Sequence, residues 1–227
     1  MQTGLALFNL GGGEIILILA LLLVLFLSKR FFDMGGRRSS ETVDKKQRFA
    51  NGAATFLVWI AQGFGSGRIP WAPGTFGSLV GVVWFAALLA GGSYWLYLVG
   101  CVVGIVVSVQ LCGAAEKILD EKDPSSVVLD EIIAMPICFL SWVSFLYFST
   151  GFLPEPQYFF SGQTWPITLG VYVLFRLFDI AKPWPVKQSQ SLPGGWGVTI
   201  DDVLAAVYVN VVLIAAQGLK IFLQHKG

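Results

Sequence analysis

The chain has 227 residues, 55% of them hydrophobic and 13% charged, with a formal net charge of +1. Soluble domains average about a quarter charged residues, so this composition excludes an ordinary water-soluble globule, and the near-neutral charge gives no footprint for a nucleic-acid partner. Length alone admits one or two domains. The apolar runs decide the class, because a helix crossing a bilayer needs about 20 apolar residues.

Residues 1–32 hold the first run, Ile15 to Leu27, extended backwards by Leu5 to Leu10. The basic residues follow the run and no A-x-A-like cleavage site is visible, so the segment reads as a membrane anchor and not as a cleaved signal. Residues 33–48, DMGGRRSSETVDKKQR, are polar and read as a linker. The stretch FANGAATFLVWIAQ (49–62) is apolar but short, which suits an interfacial or re-entrant helix. A Gly/Pro-rich loop follows at 63–78 and opens into a helix at about Thr75. Further spans are expected at about 75–91, 93–113, 127–149, 166–181 and 202–223. The expected fold is an all-α, polytopic membrane helix bundle of about six spans including the anchor.

Lys and Arg orient the bundle. With the N-terminus outside, 13 of them fall on the cytoplasmic side and 2 on the other, as the positive-inside rule requires. Cys101, Cys112 and Cys138 lie in apolar runs without metal-ligand spacing and read as packing residues. The single histidine, His225, reads as a tail residue.

The polar residues of the bundle gather in four places, all at the cytoplasmic ends of spans. Loop 63–78 surrounds Arg68, Thr75 and Ser78 with glycines, which let backbone N–H groups approach an anion, and it leads into a helix N-terminus that attracts phosphate. An empty re-entrant turn would look the same. Asp130 and Glu131 open the span SVVLDEIIAMP. Acids at membrane depth are costly and mark function by default, although one of them could serve the helix dipole. In FRLFDIAKPWP (175–185), Arg176, Asp179 and Lys182 recur every third residue and share a helix face. They read either as site residues or as an ion-pair ladder locking helices together. In PGGWGVTIDDVLAA (193–206), Thr199 and Asp202 have capping-box spacing, which places Asp201 and Asp202 in the first turn of the last span.

The spans beginning near 127 and 202 run parallel, so packing them together would converge Asp130, Glu131, Asp201 and Asp202. A cluster of oxygen donors without Cys or His suits Mg²⁺ or Mn²⁺ as the ion that holds it. Arg68, Arg176 and Lys182 offer positive charge to a phosphate. Acids, a divalent cation and basic residues at headgroup depth describe phosphoryl transfer on a phospholipid.

The blocks GFGSGRIPWAPGTFGSL (63–79), VVLDEIIAMP (127–136) and FRLFDIAKPWPV…GGWGVTIDDVLAA (175–206) resemble the phosphatidylglycerophosphatase A family over about residues 49–223. The resemblance implies an α-helical, Mg²⁺-dependent enzyme that converts phosphatidylglycerophosphate to phosphatidylglycerol and phosphate at the bacterial inner membrane, with its site on the cytoplasmic side. On the matching positions, Asp130, Glu131, Asp201 and Asp202 are expected as metal ligands or bases, with Asp179 beside them. Arg68, Arg176 and Lys182 are expected on the phosphate, with Thr75 and Ser78 shaping the site. Residues 49–227 would then form the catalytic domain. The first helix, FNLGGGEIILILALLLVLFLSKRF (8–31), resembles that of twin-arginine translocase A-type subunits, with Glu14 early in the run. The competing readings are a transporter using intramembrane charges and a translocase-associated protein. A transporter would show inverted repeats and midplane charges, and neither is visible. Oligomeric state is not legible.

Overall fold

The computed structural model describes residues 52–224, and the expected anchor (1–32) and linker (33–48) lie outside them. The described chain is all helix and irregular loop, with no strand among these residues. A short helix, α1 (Gly52–Ala61), leads into a 3₁₀ turn at Gly63–Arg68. Then come α2 (Pro73–Ala90), α3 (Tyr94–Leu119), α4 (Leu129–Cys138), α5 (Leu140–Thr150), α6 (Pro156–Phe160), α7 (Trp165–Ala181), α8 (Val186–Ser189) and α9 (Gly195–Gln224). Among the described residues, four segments are long and apolar enough to cross a bilayer: α2, α3, the α4–α5 pair and α9. The fifth expected span is the 17-residue helix α7. At about 1.5 Å per residue it stands at the short limit for crossing.

Two boundaries differ from expectation. Helix α2 begins at Pro73, whose missing N–H costs nothing in the first turn, and not at Thr75. Helix α9 begins at Gly195, so Thr199 and Asp202 do not form its cap. Thr199 lies inside the helix, fully buried, and its hydroxyl meets the Ser108 hydroxyl of α3 at 2.9 Å. Capping residues and buried polar residues share the same short side chains, and spacing alone did not separate the two roles.

The packing follows from where the small residues fall. On α3, Gly100, Gly104, Ser108, Cys112 and Ala115 recur at three- or four-residue intervals and are buried or half-buried toward the bundle, while Val99, Val102 and Val106 face outward. A Cβ at Gly104 would stand 2.8 Å from Ile133 of α4. Gly113 lets α9 approach, since its Cβ would meet the Gly195 nitrogen at 2.7 Å. Small residues that bring backbones together are how helices associate where lipid removes the hydrophobic drive.

Helix α4 is the central element, with every residue but Glu131 buried. It runs on into α5 through a break at Phe139, three residues after Pro136. Asn210 of α9 spans that break: its Nδ2 donates to the Ile137 carbonyl at 2.7 Å, and its Oδ1 accepts from Ser141 N–H at 2.7 Å. The far half of the core is aromatic. Phe85 stacks on Phe139 at 4.0 Å and meets Phe159 edge-on at 5.0 Å. Cys101, Cys112 and Cys138 are buried free thiols, the packing role expected of them.

Candidate active site

Successive long helices alternate direction, so one end of the bundle collects the N-termini of α2, α4 and α9 and the C-termini of α3 and α7. Three helix N-termini at one end favour negative charge there. The acids lie at this end. Asp130 and Glu131 are in the first turn of α4, and Asp201 and Asp202 are in the second turn of α9.

Arg176 of α7 organises one half of the cluster. Its Nη1 lies 3.1 Å from Glu131 Oε1 and 2.8 Å from Asp179 Oδ2, and it donates to Ser78 Oγ at 3.4 Å. Ser78 in turn reaches Glu131 Oε2 at 3.3 Å and bonds the Gly74 carbonyl at 2.8 Å. Arg176 Nε is buried and has no hydrogen-bond partner. Two glycines of α2 make room for Glu131. A Cβ on Gly77 would stand 2.8 Å from Glu131 Oε2 and 2.6 Å from Val128, and one on Gly74 would collide with Glu131 Oε1. The sequence spacing Gly74–Gly77–Gly81 is thus one helix face laid against α4, with Gly81 over Met135.

Lys182 organises the other half. It sits just past α7, in a left-handed conformation at the helix end, where the prolines at 183 and 185 prevent continuation. Its Nζ donates to Asp201 Oδ2 at 2.6 Å and lies 3.9 Å from Asp179 Oδ1. Burial alone would lower the pKa of this ammonium. The Asp201 hydrogen bond and the surrounding carboxylates outweigh that and hold it above the usual lysine value.

Asp130 and Asp202 are different. They are 7% and 3% exposed, and neither forms an ion pair within 4 Å among the described residues, although Asp202 lies within electrostatic range of Arg176 and Lys182. Asp130 Oδ1 has no hydrogen-bond partner at all. Asp202 is within electrostatic range of Asp130, Asp179, Asp201 and Glu131. These five carboxylates face only Arg176 and Lys182, a formal excess of three negative charges in a largely buried site. Such an excess is sustained only by a bound cation or by protons. The donor set is all oxygen, which fits a hard divalent ion. No group of three or more His, Cys, Asp or Glu side chains among the described residues forms a ready-made cage. Mg²⁺ needs none, since it keeps several waters and takes one or two carboxylates.

The expected residues thus divide. Asp130, Glu131, Asp179, Asp201, Asp202, Ser78, Arg176 and Lys182 come together. Thr75 borders them, and its carbonyl accepts from the Tyr172 hydroxyl at 2.9 Å. Arg68 stays apart: it is exposed on the 3₁₀ turn, and its Nε donates to Gln62 Oε1 at 2.7 Å. The turn needs Gly65 at φ 98° and is closed by Ser66, whose hydroxyl bonds the Gly63 carbonyl at 2.8 Å. These bonds account for the loop's conformation without a ligand.

Sequence reasoning passed over Tyr172 and Asp123. Tyr172 lies one turn before Arg176 on the same helix, a spacing that could have found it. Asp123, within electrostatic range of Lys182, sits in an acidic loop where nothing distinguishes it from its neighbours.

Comparison with known proteins identifies the family. The family described as Phosphatidylglycerophosphatase A matches residues 59–217. The chain is 33% identical over 159 residues to a protein of that name from Haemophilus influenzae, covering 70% of this chain and 86% of the relative. It is 33% identical over 168 residues to the Escherichia coli protein of the same name, covering 73% and 82%. It is also 34% identical over 169 residues to a Bacteroides thetaiotaomicron protein named "Putative phosphatidylinositol-3-phosphatase", covering 70% and 92%. No solved structure gives a significant match.

Proposed function

The chain belongs to the phosphatidylglycerophosphatase A family, and from that premise we propose that it hydrolyses the terminal phosphomonoester of phosphatidylglycerophosphate, using Mg²⁺ held by Asp130 and Asp202. The coarser statement, a lipid phosphatase built as a multi-pass membrane protein, rests on the family and on the apolar helices. The finer one is carried by a single observation: two buried carboxylates that form no ion pair among the described residues sit beside Arg176 and Lys182.

Mg²⁺, when bound, supplies positive charge at the phosphate and a water of lowered pKa. The chain's own residues do the rest. Arg176 spends Nη1 on Glu131, Asp179 and Ser78, so its plane is fixed while Nε–H remains a free donor for a phosphate oxygen. Lys182, fixed by Asp201, places a second positive charge on the same side. A carboxylate of the Asp130–Asp202 pair accepts the proton of the attacking water. The new P–O bond forms opposite the headgroup oxygen, whose own bond to phosphorus breaks, and that oxygen takes up the proton held by the carboxylate and leaves as the alcohol. Burial of the cluster strengthens each of these interactions relative to water.

The proposed location is the bacterial inner membrane, with the site on the cytoplasmic face, supported by the distribution of Lys and Arg. Residues 49–227 are proposed as the catalytic unit and 1–32 as an anchor. A transporter reading loses ground because the described charges gather at one end of the bundle and not at its middle.

The deciding experiment measures phosphate release from phosphatidylglycerophosphate by purified protein in detergent, with Mg²⁺ and with chelator. Release that requires Mg²⁺ is the expected result. No release from a folded preparation would overturn the substrate assignment.

A further inference from the structure

Helices α2 and α7 run antiparallel and are joined by two hydrogen bonds at the charged end of the bundle. Arg176 Nη1 donates to Ser78 Oγ at 3.4 Å, and the Tyr172 hydroxyl donates to the Thr75 carbonyl at 2.9 Å. Toward the far end, α6 fills the space between them. Its Phe159 meets Phe85 of α2 edge-on, and the Phe159 carbonyl accepts from Thr168 of α7 at 2.6 Å. Between these two closures lies a seam. Thr75, Leu79 and Val82 line it from α2, and Leu169, Tyr172 and Arg176 line it from α7, each set recurring at three- or four-residue spacing along one helix flank. Leu79 and Leu169 are 48% and 50% exposed, so the seam opens to the lipid side of the bundle.

The seam is graded along the membrane normal. Over about 10 Å inward from the charged end, α2 passes from Thr75 to Leu79 and Val82, and α7 passes from Arg176 through Tyr172 to Leu169. Tyr172 marks the change from polar to apolar. It is half-buried, its ring packs on the core beside Val82, and its hydroxyl lies within electrostatic range of Arg176 and Glu131. With its proton given to Thr75, that hydroxyl offers lone pairs, which accept from an alcohol and repel a phosphate oxygen.

We infer that the lipid substrate enters sideways from the bilayer through this seam and lies in it during hydrolysis, with Tyr172 positioning the headgroup. The inference rests on the lipid-phosphatase reading and deepens it. With the phosphomonoester at Arg176 and Lys182, the polyol that carries it lies on the bilayer side of them, and one of its hydroxyls donates to Tyr172. The acyl chains follow Leu79, Val82 and Leu169 into the leaflet. The order of phosphate, polyol and acyl chain in the lipid is the order of cation, hydroxyl and apolar wall along the seam.

The test measures phosphate release from phosphatidylglycerophosphate in mixed micelles at rising lipid fraction. It compares wild type with Leu79→Trp, Leu169→Trp, Tyr172→Phe and Val83→Trp. Trp at 79 or 169 fills the seam from one wall or the other, whereas Val83 is exposed to lipid one position round the helix from Val82. Leu79→Trp and Leu169→Trp are expected to raise KM about tenfold with kcat held within about twofold, the mark of lost binding with intact chemistry. Val83→Trp should change neither. Tyr172→Phe keeps the ring and loses the hydroxyl, and should raise KM about fivefold, the worth of one hydrogen bond. KM unmoved in both Leu variants, or a fall in kcat without a rise in KM, would overturn the inference, and KM unmoved in Tyr172→Phe would overturn the headgroup contact. Should wild type release no phosphate, the lipid-phosphatase reading falls on its own. Binding of phosphatidylglycerophosphate to the solubilised protein in the same Mg²⁺ buffer then judges the seam. Affinity weaker in both Leu variants than in Val83→Trp, by the same factor as expected for KM, supports it, and equal or absent binding overturns it.

Discussion

At the scale of single residues, the site separates carboxylates that are paired from those that are not. Glu131, Asp179 and Asp201 each form an ion pair, whereas Asp130 and Asp202 form none among the described residues. The two groups should respond oppositely to substitution. Asp130→Asn and Asp202→Asn remove a buried, uncompensated charge, so thermal unfolding in chelator should show Tm unchanged or raised. Hydrolysis by the same variants should fall at least about 100-fold, as for lost metal or nearby support. Saturating Mg²⁺ should raise the wild-type Tm, by about 2.7 kcal/mol of stability at a concentration 100 times Kd, and should leave Asp130→Asn unmoved. Arg176→Met does the reverse. It strands Glu131 and Asp179 in a largely buried site, which should cost about 3 kcal/mol of stability along with the activity. Denaturation in mixed micelles reads this loss.

At the scale of elements, glycine spacing decides how closely α2 lies on α4. Gly77→Ala would drive a Cβ against Val128 and Glu131, an overpacking cost of about 1–3 kcal/mol, with activity falling because Glu131 and Arg176 move together. Gly170→Ala in α7 meets nothing within 4 Å. It should stabilise by about 0.5–1 kcal/mol through helix propensity and leave hydrolysis intact. Finding equal effects for the two substitutions would refute the packing argument. The break between α4 and α5 is a second element-scale device. Asn210 satisfies a carbonyl on one side of it and an N–H on the other, so Asn210→Leu should cost about 1–3 kcal/mol for each group left bare.

At the scale of the whole molecule, the bundle presents apolar surface outward and gathers most of its described charge at one end, with Glu155 and Lys220 toward the other. Residues such as Val99, Val102 and Val106 are 46–62% exposed, which only lipid or another protein surface tolerates. The charged end should face the cytoplasm. The native thiols Cys101, Cys112 and Cys138 are buried, so a single exposed cysteine at Ser125→Cys should react with a membrane-impermeant maleimide in inverted vesicles and not in right-side-out ones. Removing residues 1–44 should leave phosphate release per folded molecule unchanged, because the described residues brought together at the site, from Thr75 onward, already make up the cluster. Lost activity in a folded, truncated protein would assign the N-terminal segment to the catalytic unit.

Much of this was already written in the sequence. Apolar run length fixed the helical class, because unpaired backbone cannot stand in lipid. Acids and bases at span ends marked the candidate site, because ionisable groups at that depth are costly. The Arg176–Asp179–Lys182 stripe followed from helical periodicity, and the structure places all three in one network. What periodicity could not supply was partnership between helices. Arg68 stands in a glycine-rich loop that suits an anion, yet its Nε donates to Gln62 and not to the cluster. Thr199 has a cap's spacing but serves as a buried contact to α3. Which carboxylates are left without an ion pair, and that a lipid-facing seam adjoins them, are properties of side chains far apart in the chain. Only the packing of α2, α4, α7 and α9 against one another determines those distances, and charge pairing and the shape of the seam depend on distance rather than on spacing along the chain.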